Sequence, residues 1–169
     1  MSSLPIFLTS VANSSDEPCF PILFTWSTSD AQIKEVLVIP DDAWLDLAEV
    51  EVNQFDITQN QLYDFGFEAS DILAEWTNEL DTDCVYAFDA DLVSSMVEKT
   101  YDCKNLDPSF EVASIHQWFA NHDVDLEQEL ALMDLRLPAH LLPPDELIAS
   151  LLQVAYQHEL IELADADHD

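Results

Sequence analysis

Positively charged side chains are nearly missing from this chain of 169 residues, which has four Lys and Arg residues against 35 Asp and Glu. The four are Lys34, Lys99, Lys104 and Arg136. Sequence-independent affinity for DNA or RNA comes mainly from Lys and Arg side chains that displace counterions from phosphates. A formal net charge of -31 therefore disfavours direct binding of nucleic acids and of anionic membrane surfaces. The same charge favours basic proteins, metal ions and the DNA-binding clefts of other proteins as partners.

Glycine and paired cysteines are also scarce. Gly66 is the single glycine, which excludes the loops that cradle phosphates or dinucleotides, because such loops need several positions without a Cβ. Cys19, Cys84 and Cys103 are odd in number and form no Cys-x-x-Cys pair. This spacing argues against a disulfide framework and a cysteine zinc site, and we expect buried thiols instead. Cys84 lies in an apolar run that disfavours a thiolate, so nucleophilic catalysis is not expected.

Long apolar runs and a basic amino-terminal stretch are missing as well. No run is long enough to span a bilayer, and residues 1–5 lack the positive charge of a signal peptide. We therefore expect a cytoplasmic protein that does not enter a membrane. With 49% apolar residues, four Trp and nine Phe, the chain has the composition of a folded protein. We predict one α/β domain over residues 1–163 and a solvated acidic tail over residues 164–169.

The hydrophobic pattern predicts strands first and helices later. Apolar and β-branched runs at residues 5–11, 20–27 and 34–39 predict an antiparallel meander of three strands. After these the period changes, and apolar residues recur at helical spacing from Ala69 onward. The fold class we predict is α/β, with a central mixed sheet of this meander plus parallel strands, flanked by helices. The later elements are predicted as helices at 69–80, 89–97, 125–133 and from Pro143 onward, and as strands at 84–88 and 110–114.

Five short segments follow each other in the order of motifs in a known family. They are residues 6–13 in the first strand, 20–22 in the next strand, 44–58 with Phe-Asp-Ile-Thr at 55–58, 85–89 at a strand-to-helix junction, and 140–145 with a His-x4-Asp spacing. In this order and spacing the chain resembles the DEDDh group of proofreading-type 3′-5′ exonucleases, which have a ribonuclease H-like fold. The resemblance covers about residues 6 to 156. It implies a mixed sheet flanked by helices and a metal-dependent nuclease site.

The chain departs from the family at its first motif. Active members carry Asp-x-Glu in the first strand, and these two carboxylates share one face of the sheet and jointly hold divalent metal ions. This chain has Thr9 and Val11 at those positions. Since Mg²⁺ prefers hard oxygen ligands, we expect no two-metal site and no cofactor. The resemblance implies a remnant site of Asp89, His140 and Asp145, in which His140 matches the general base and Asp89 and Asp145 match metal ligands with weak or no binding.

Each remnant residue also has an ordinary structural interpretation. Asp89 and Asp145 stand at predicted helix starts, where a carboxylate caps the helix or stabilises its dipole. His140, next to two prolines, fits a loop. Residues 121–125 (Asn-His-Asp-Val-Asp) offer mixed nitrogen and oxygen ligands for a metal, but we favour an exposed polar connection.

Several functional hypotheses follow from these residues. The first is a catalytically inactive, exonuclease-like protein that binds or regulates another protein through its acidic surface. A sharper version is a nucleic-acid mimic that occupies the basic cleft of a DNA-binding protein. The alternative is an active Mg²⁺- or Mn²⁺-dependent 3′-5′ exonuclease that recruits Asp16, Glu17 or Asp56 around Asp89 and Asp145. Adaptation to high salt is a further explanation of the charge, and it predicts unfolding in dilute buffer.

Overall fold

The computed structural model describes residues 5–12, 20–28, 32–41, 59–79, 84–133, 135 and 142–160. Within these ranges strands come first and helices dominate the later half, as the hydrophobic pattern predicts. The strands are β1 (Leu8–Ala12), β2 (Pro21–Ser27), β3 (Ile33–Leu37), β4 (Cys84–Ala87) and β5 (Glu111–Ser114). The helices are α1 (Gln59–Phe65), α2 (Ala69–Glu79), α3 (Ala90–Asp102), α4 (Ile115–Ala120), α5 (Leu126–Leu132) and α6 (Pro144–Gln157). The predicted acidic tail lies outside the described residues.

Strands β1, β2 and β3 form an antiparallel sheet in that order, so the predicted meander is confirmed. β2 is buried along its whole length, which fits its place between two neighbours and its Phe, Ile, Leu and Trp content. The pairing register sets Thr9 opposite Thr25 and Thr25 opposite Glu35. Side chains that face each other across strands share one face of the sheet, so these three residues form a row.

A second, parallel pair is formed by β4 and β5, and it lies beside β1. The connection is a parallel bridge between Phe7 and Tyr86, in which the Tyr86 N–H donates to the Ile6 carbonyl oxygen over 2.9 Å. Across the molecule the strands therefore follow the order β3, β2, β1, β4, β5, and only β2 runs against its neighbours. The predicted α/β class, with an antiparallel meander, parallel strands and flanking helices, is confirmed at this level.

Helices pack on both faces of the strands because successive side chains of a strand point to opposite sides. Leu8 belongs to a core cluster with Trp76 of α2, whereas its neighbour Phe7 belongs to a second cluster with Ile148 of α6. Each of these four side chains is at most 1% exposed, and burial of such a side chain contributes about 1.5–3 kcal/mol. Among the described helices, none has the length and apolar character needed to cross a membrane.

Helix α1 was not predicted, because the sequence pattern indicated no helix at residues 59–65. Its sequence, Gln-Asn-Gln-Leu-Tyr-Asp-Phe, has no apolar stripe, and only Leu62 is buried among the residues whose side chains are described there. The helix packs beside β3. After it, Phe67 forms a parallel bridge with Val38, with hydrogen bonds of 2.8 and 3.0 Å to Leu37 and Ile39. This bridge covers the outer edge of the meander.

Candidate functional site

Thr9 and Val11, the two positions at which the resemblance expects carboxylates, lie on β1. Thr9 is half-buried and pairs with Thr25, which is fully buried. Val11 comes two residues later on the same strand, is half-buried, and packs against the core cluster that contains Leu8. Because of this burial the Val11 methyl groups are part of the packed structure. β1 thus presents a neutral hydroxyl and an apolar side chain where a metal-dependent nuclease needs two acids.

The row that begins at Thr9 ends in a carboxylate on β3. The Thr25 hydroxyl donates to Oε2 of Glu35 over 3.2 Å, so Glu35 is held against the sheet although its side chain is exposed. Partial burial raises the pKa of Glu35 above its ordinary value, and the negative charge of Asp145 raises it further. The hydrogen bond from Thr25 acts in the opposite direction.

Asp145 reaches this region because α6 packs across β1, β2 and β3. It stands in the first turn of α6, directly after Pro144, and is exposed. A carboxylate at this position stabilises the helix start through the dipole, as expected from the sequence. The structure therefore brings one remnant residue, Asp145, next to an acid that the sequence analysis did not single out, Glu35. Glu35 is placed here by the pairing register of β2 and β3. The alternation of polar and apolar residues within one strand does not reveal that register.

Asp89 caps α3. Its Oδ1 accepts a hydrogen bond from the Leu92 N–H at 3.2 Å, and the side chain is exposed, so the predicted capping role is confirmed. Asp89 follows β4, which runs parallel to β1, so it lies at the same end of the strands as Thr9 and Val11. Its role as a metal ligand stays a prediction.

His140 lies outside the described residues, and so do the suggested substitute ligands Asp16, Glu17 and Asp56. In the part of the chain that is described, no three His, Cys, Asp or Glu side chains are grouped so that they could hold a metal ion. The donors at the family positions do not fit two divalent ions either, because Val11 has no donor atom and Thr9 is neutral.

Residues 121–125, which we considered as a metal site, form a turn between two helices. Asp123 adopts a left-handed conformation with φ 63°. Asp125 caps α5, since its Oδ1 accepts from the Gln128 N–H at 3.2 Å. Asp123 and Asp125 thus have roles in the turn and in the helix cap. These roles agree with the interpretation of the segment as a connection between helices.

The two described cysteines are poor nucleophiles. Burial raises the pKa of the Cys84 thiol, and the nearby charge of Glu111 raises it further. Burial also raises the pKa of Cys103, whose thiol donates to the Thr100 carbonyl oxygen over 3.2 Å. Both side chains are half-buried, somewhat less than the full burial we expected. A raised thiol pKa leaves little thiolate at neutral pH, which agrees with the argument against cysteine catalysis.

Several basic groups of the described residues are paired with carboxylates. Lys34 pairs with Glu75 of α2. His116 lies 2.8 Å from Glu127, and His158 lies 2.8 Å from Glu129. Arg136 is outside the described residues. With 35 Asp and Glu against four Lys and Arg, carboxylates far outnumber the basic groups of the chain.

Comparison of the sequence with protein-family models finds no match, and a search of curated proteins finds no relative. The candidate site is therefore defined only by the side chains described above. These are a Thr9–Thr25–Glu35 row on one sheet face, Asp145 beside its acidic end, and Asp89 engaged in a helix cap.

Proposed function

We propose that this protein has a ribonuclease H-like fold of the DEDDh exonuclease type, that it has lost metal-dependent catalysis, and that it acts by binding a basic partner protein. The fold part of the proposal is supported by the order of the strands. An antiparallel meander is followed by two parallel strands that lie next to β1, with helices on both faces. This is the mixed sheet that the resemblance implies.

The observation that carries the loss of catalysis is the state of β1. Thr9 pairs with buried Thr25 and Val11 packs into the core, so neither position offers a carboxylate to a metal ion. Without the metal, neither the attacking water nor the leaving oxygen of a phosphodiester is stabilised. A general base such as His140 then has little to act on.

The binding part of the proposal follows from the charge. A net charge of -31 gives a strong negative potential, which steers a basic protein toward the surface and repels nucleic acids. Four basic residues in the whole chain are too few to neutralise it locally, and Lys34 is already paired with Glu75. A nucleic-acid mimic, which places carboxylates where a phosphate backbone binds, is the narrower form of the same function.

Affinity capture tests the binding function. The full chain is immobilised, proteins from the source cells are captured, and they are identified by mass spectrometry after elution with increasing salt. We expect basic proteins that elute as salt screens the charges, and we expect DNA to compete with them if the protein is a mimic. Polyglutamate beads provide the control for non-specific charge attraction. Specific partners that are all neutral or acidic contradict the proposal.

An active metal-dependent exonuclease is the second candidate, and one observation favours it. The negative charge of Asp145 is one cause of the raised pKa of Glu35, and the helix that carries Asp145 packs across β1, β2 and β3. Two hard oxygen donors therefore lie toward the sheet face that also carries Thr9. In this candidate Glu35 takes the place of a lost β1 carboxylate. A nuclease assay of variants at Thr9 and Val11 separates the two candidates, because only the second candidate predicts degradation of DNA by the unmodified chain.

A further inference from the structure

Three aromatic side chains are exposed within one stretch of five residues, which we name the aromatic segment (residues 63–67). Tyr63 is 46% exposed, Phe65 is 70% exposed and Phe67 is 46% exposed. The other large apolar side chains that are exposed in the described residues are isolated from one another along the chain: Leu106, Leu132 and Tyr156. Tyr63 and Phe65 lie on opposite flanks of the buried Leu62 in α1. Single exposed apolar residues are normal, whereas three large exposed rings within five residues are a concentration typical of interaction surfaces.

The fold holds the aromatic segment in a defined position. Leu62, one residue before it, is fully buried, and Phe67 at its end is hydrogen-bonded on both sides to the continuation of β3. Between them the Gly66 N–H donates to the Leu62 carbonyl oxygen over 2.9 Å. A Cβ at Gly66 would lie 2.2 Å from that same oxygen, so the close approach requires glycine. The rings are therefore displayed from an ordered backbone, which lowers the entropic cost of binding.

The surroundings of the aromatic segment are acidic. Asp64 lies within it, and Glu68 and Asp71 follow directly, all three exposed. No Lys or Arg occurs in the sequence between Lys34 and Lys99. Exposed rings with carboxylates beside them in the chain attract cations in two ways, through the ring quadrupole and through direct charge pairing.

We propose that the aromatic segment is the docking surface for an arginine-rich segment of the partner protein. This inference rests on the proposed function, the binding of a basic protein, and names the surface used. Arginine fits better than lysine, because the planar guanidinium stacks on an aromatic ring while its N–H groups bind carboxylates. A second copy of this chain does not fit the surface, because two molecules that each carry a charge of -31 repel one another.

Peptide binding tests the docking surface. Labelled polyarginine and polylysine of equal length are titrated with the full chain and with the variant Tyr63→Ala/Phe65→Ala, at about 0.15 M salt. We expect polyarginine to bind the unmodified chain more tightly than polylysine does. The variant should lose about tenfold in polyarginine affinity and most of the arginine preference. The variant Leu106→Ala/Leu132→Ala, which removes exposed apolar side chains elsewhere, should bind as the unmodified chain does.

The possible results separate this inference from the proposed function. If polyarginine binds equally well to both variants and to the unmodified chain, the aromatic segment is not the docking surface, although binding of basic partners stands. If neither peptide binds the unmodified chain, the proposed function fails together with the inference. Circular dichroism of each variant establishes that a loss of binding is not a loss of folding, since all four substituted side chains are exposed.

Discussion

Thr25 and Glu35 are joined by a hydrogen bond between a fully buried hydroxyl and an exposed carboxylate. Two influences oppose the charge of that carboxylate, namely its partial burial and the neighbouring charge of Asp145. The acidic side chain of this site, Glu35, therefore lies on β3. On β1, where the resemblance would place two metal-binding carboxylates, the side chains are neutral.

The raised pKa of Glu35 leads to a pH-dependent prediction. Below pH 4.5, its ordinary pKa, the carboxyl is protonated in both the folded and the unfolded chain, and its contribution to stability is fully present. This contribution is lost as the pH rises through the higher pKa of the folded state. Glu35→Gln keeps an acceptor for Thr25 and removes the charge, so the variant should be more stable than the unmodified chain at pH 7. We expect a gain below about 1 kcal/mol, since solvent screens this exposed group.

Denaturant unfolding as a function of pH measures this effect. The advantage of Glu35→Gln should shrink to nothing as the pH falls below 4.5. Glu98→Gln, which removes one exposed charge from α3, is the matched control. Equal stabilisation by both variants would mean that general charge reduction is responsible, and not the partial burial of Glu35 and the charge of Asp145.

Helices α3 and α5 each begin at an Asp side chain that caps the helix. Asp89 accepts the Leu92 N–H, and Asp125 accepts the Gln128 N–H in the same way at the start of α5, with both distances 3.2 Å. A side-chain cap of this kind satisfies a backbone donor that the helix leaves unpaired. Asp89 therefore contributes to the stability of α3 whatever its role toward a metal.

Substitution of the cap tests this role. Asp89→Ala should lower the free energy of unfolding by about 1 kcal/mol, and Asp125→Ala should have an effect of the same size. Asp89→Asn should be close to neutral, because the amide oxygen still accepts the Leu92 N–H. Thermal or denaturant unfolding provides the measurement. If Asp89→Ala leaves stability unchanged, or if Asp89→Asn is as damaging as Asp89→Ala, the cap does not account for the residue.

Elements with a strong apolar period were predictable from the sequence, and those without it were not. Ile72 and Trp76 of α2 and Ile148 and Leu151 of α6 are buried at helical spacing, as expected. Helix α1 was missed because Leu62 alone, in a short polar stretch, gives no period. The part played by Glu35 was also missed. Within its strand it alternates like a solvated residue, and its contact with Thr25 depends on a register that arises only when β2 and β3 pair.

At the scale of the whole molecule, charge and fold act in different ways. The fold is held by two apolar clusters, one on each side of the strands, and the burial of these clusters offsets the repulsion among surface carboxylates. The charge of -31 therefore has to be explained by a partner or by the solvent. Adaptation to high salt stays a prediction beside the partner hypothesis, and the proposed docking on the aromatic segment makes the partner hypothesis testable at named residues.

The central claim is that Thr9 and Val11 on β1 cannot form a catalytic metal site. Degradation of single-stranded DNA tests this claim most directly. The unmodified chain, the double variant Thr9→Asp/Val11→Glu and its uncharged control Thr9→Asn/Val11→Gln are assayed with Mg²⁺ and with Mn²⁺. Manganese binding is followed by calorimetry in the same samples. We predict no degradation and no saturable Mn²⁺ binding by the unmodified chain and the control, and a gain of Mn²⁺ binding only where the two carboxylates return. Degradation by the unmodified chain that equals that of the double variant would contradict the account.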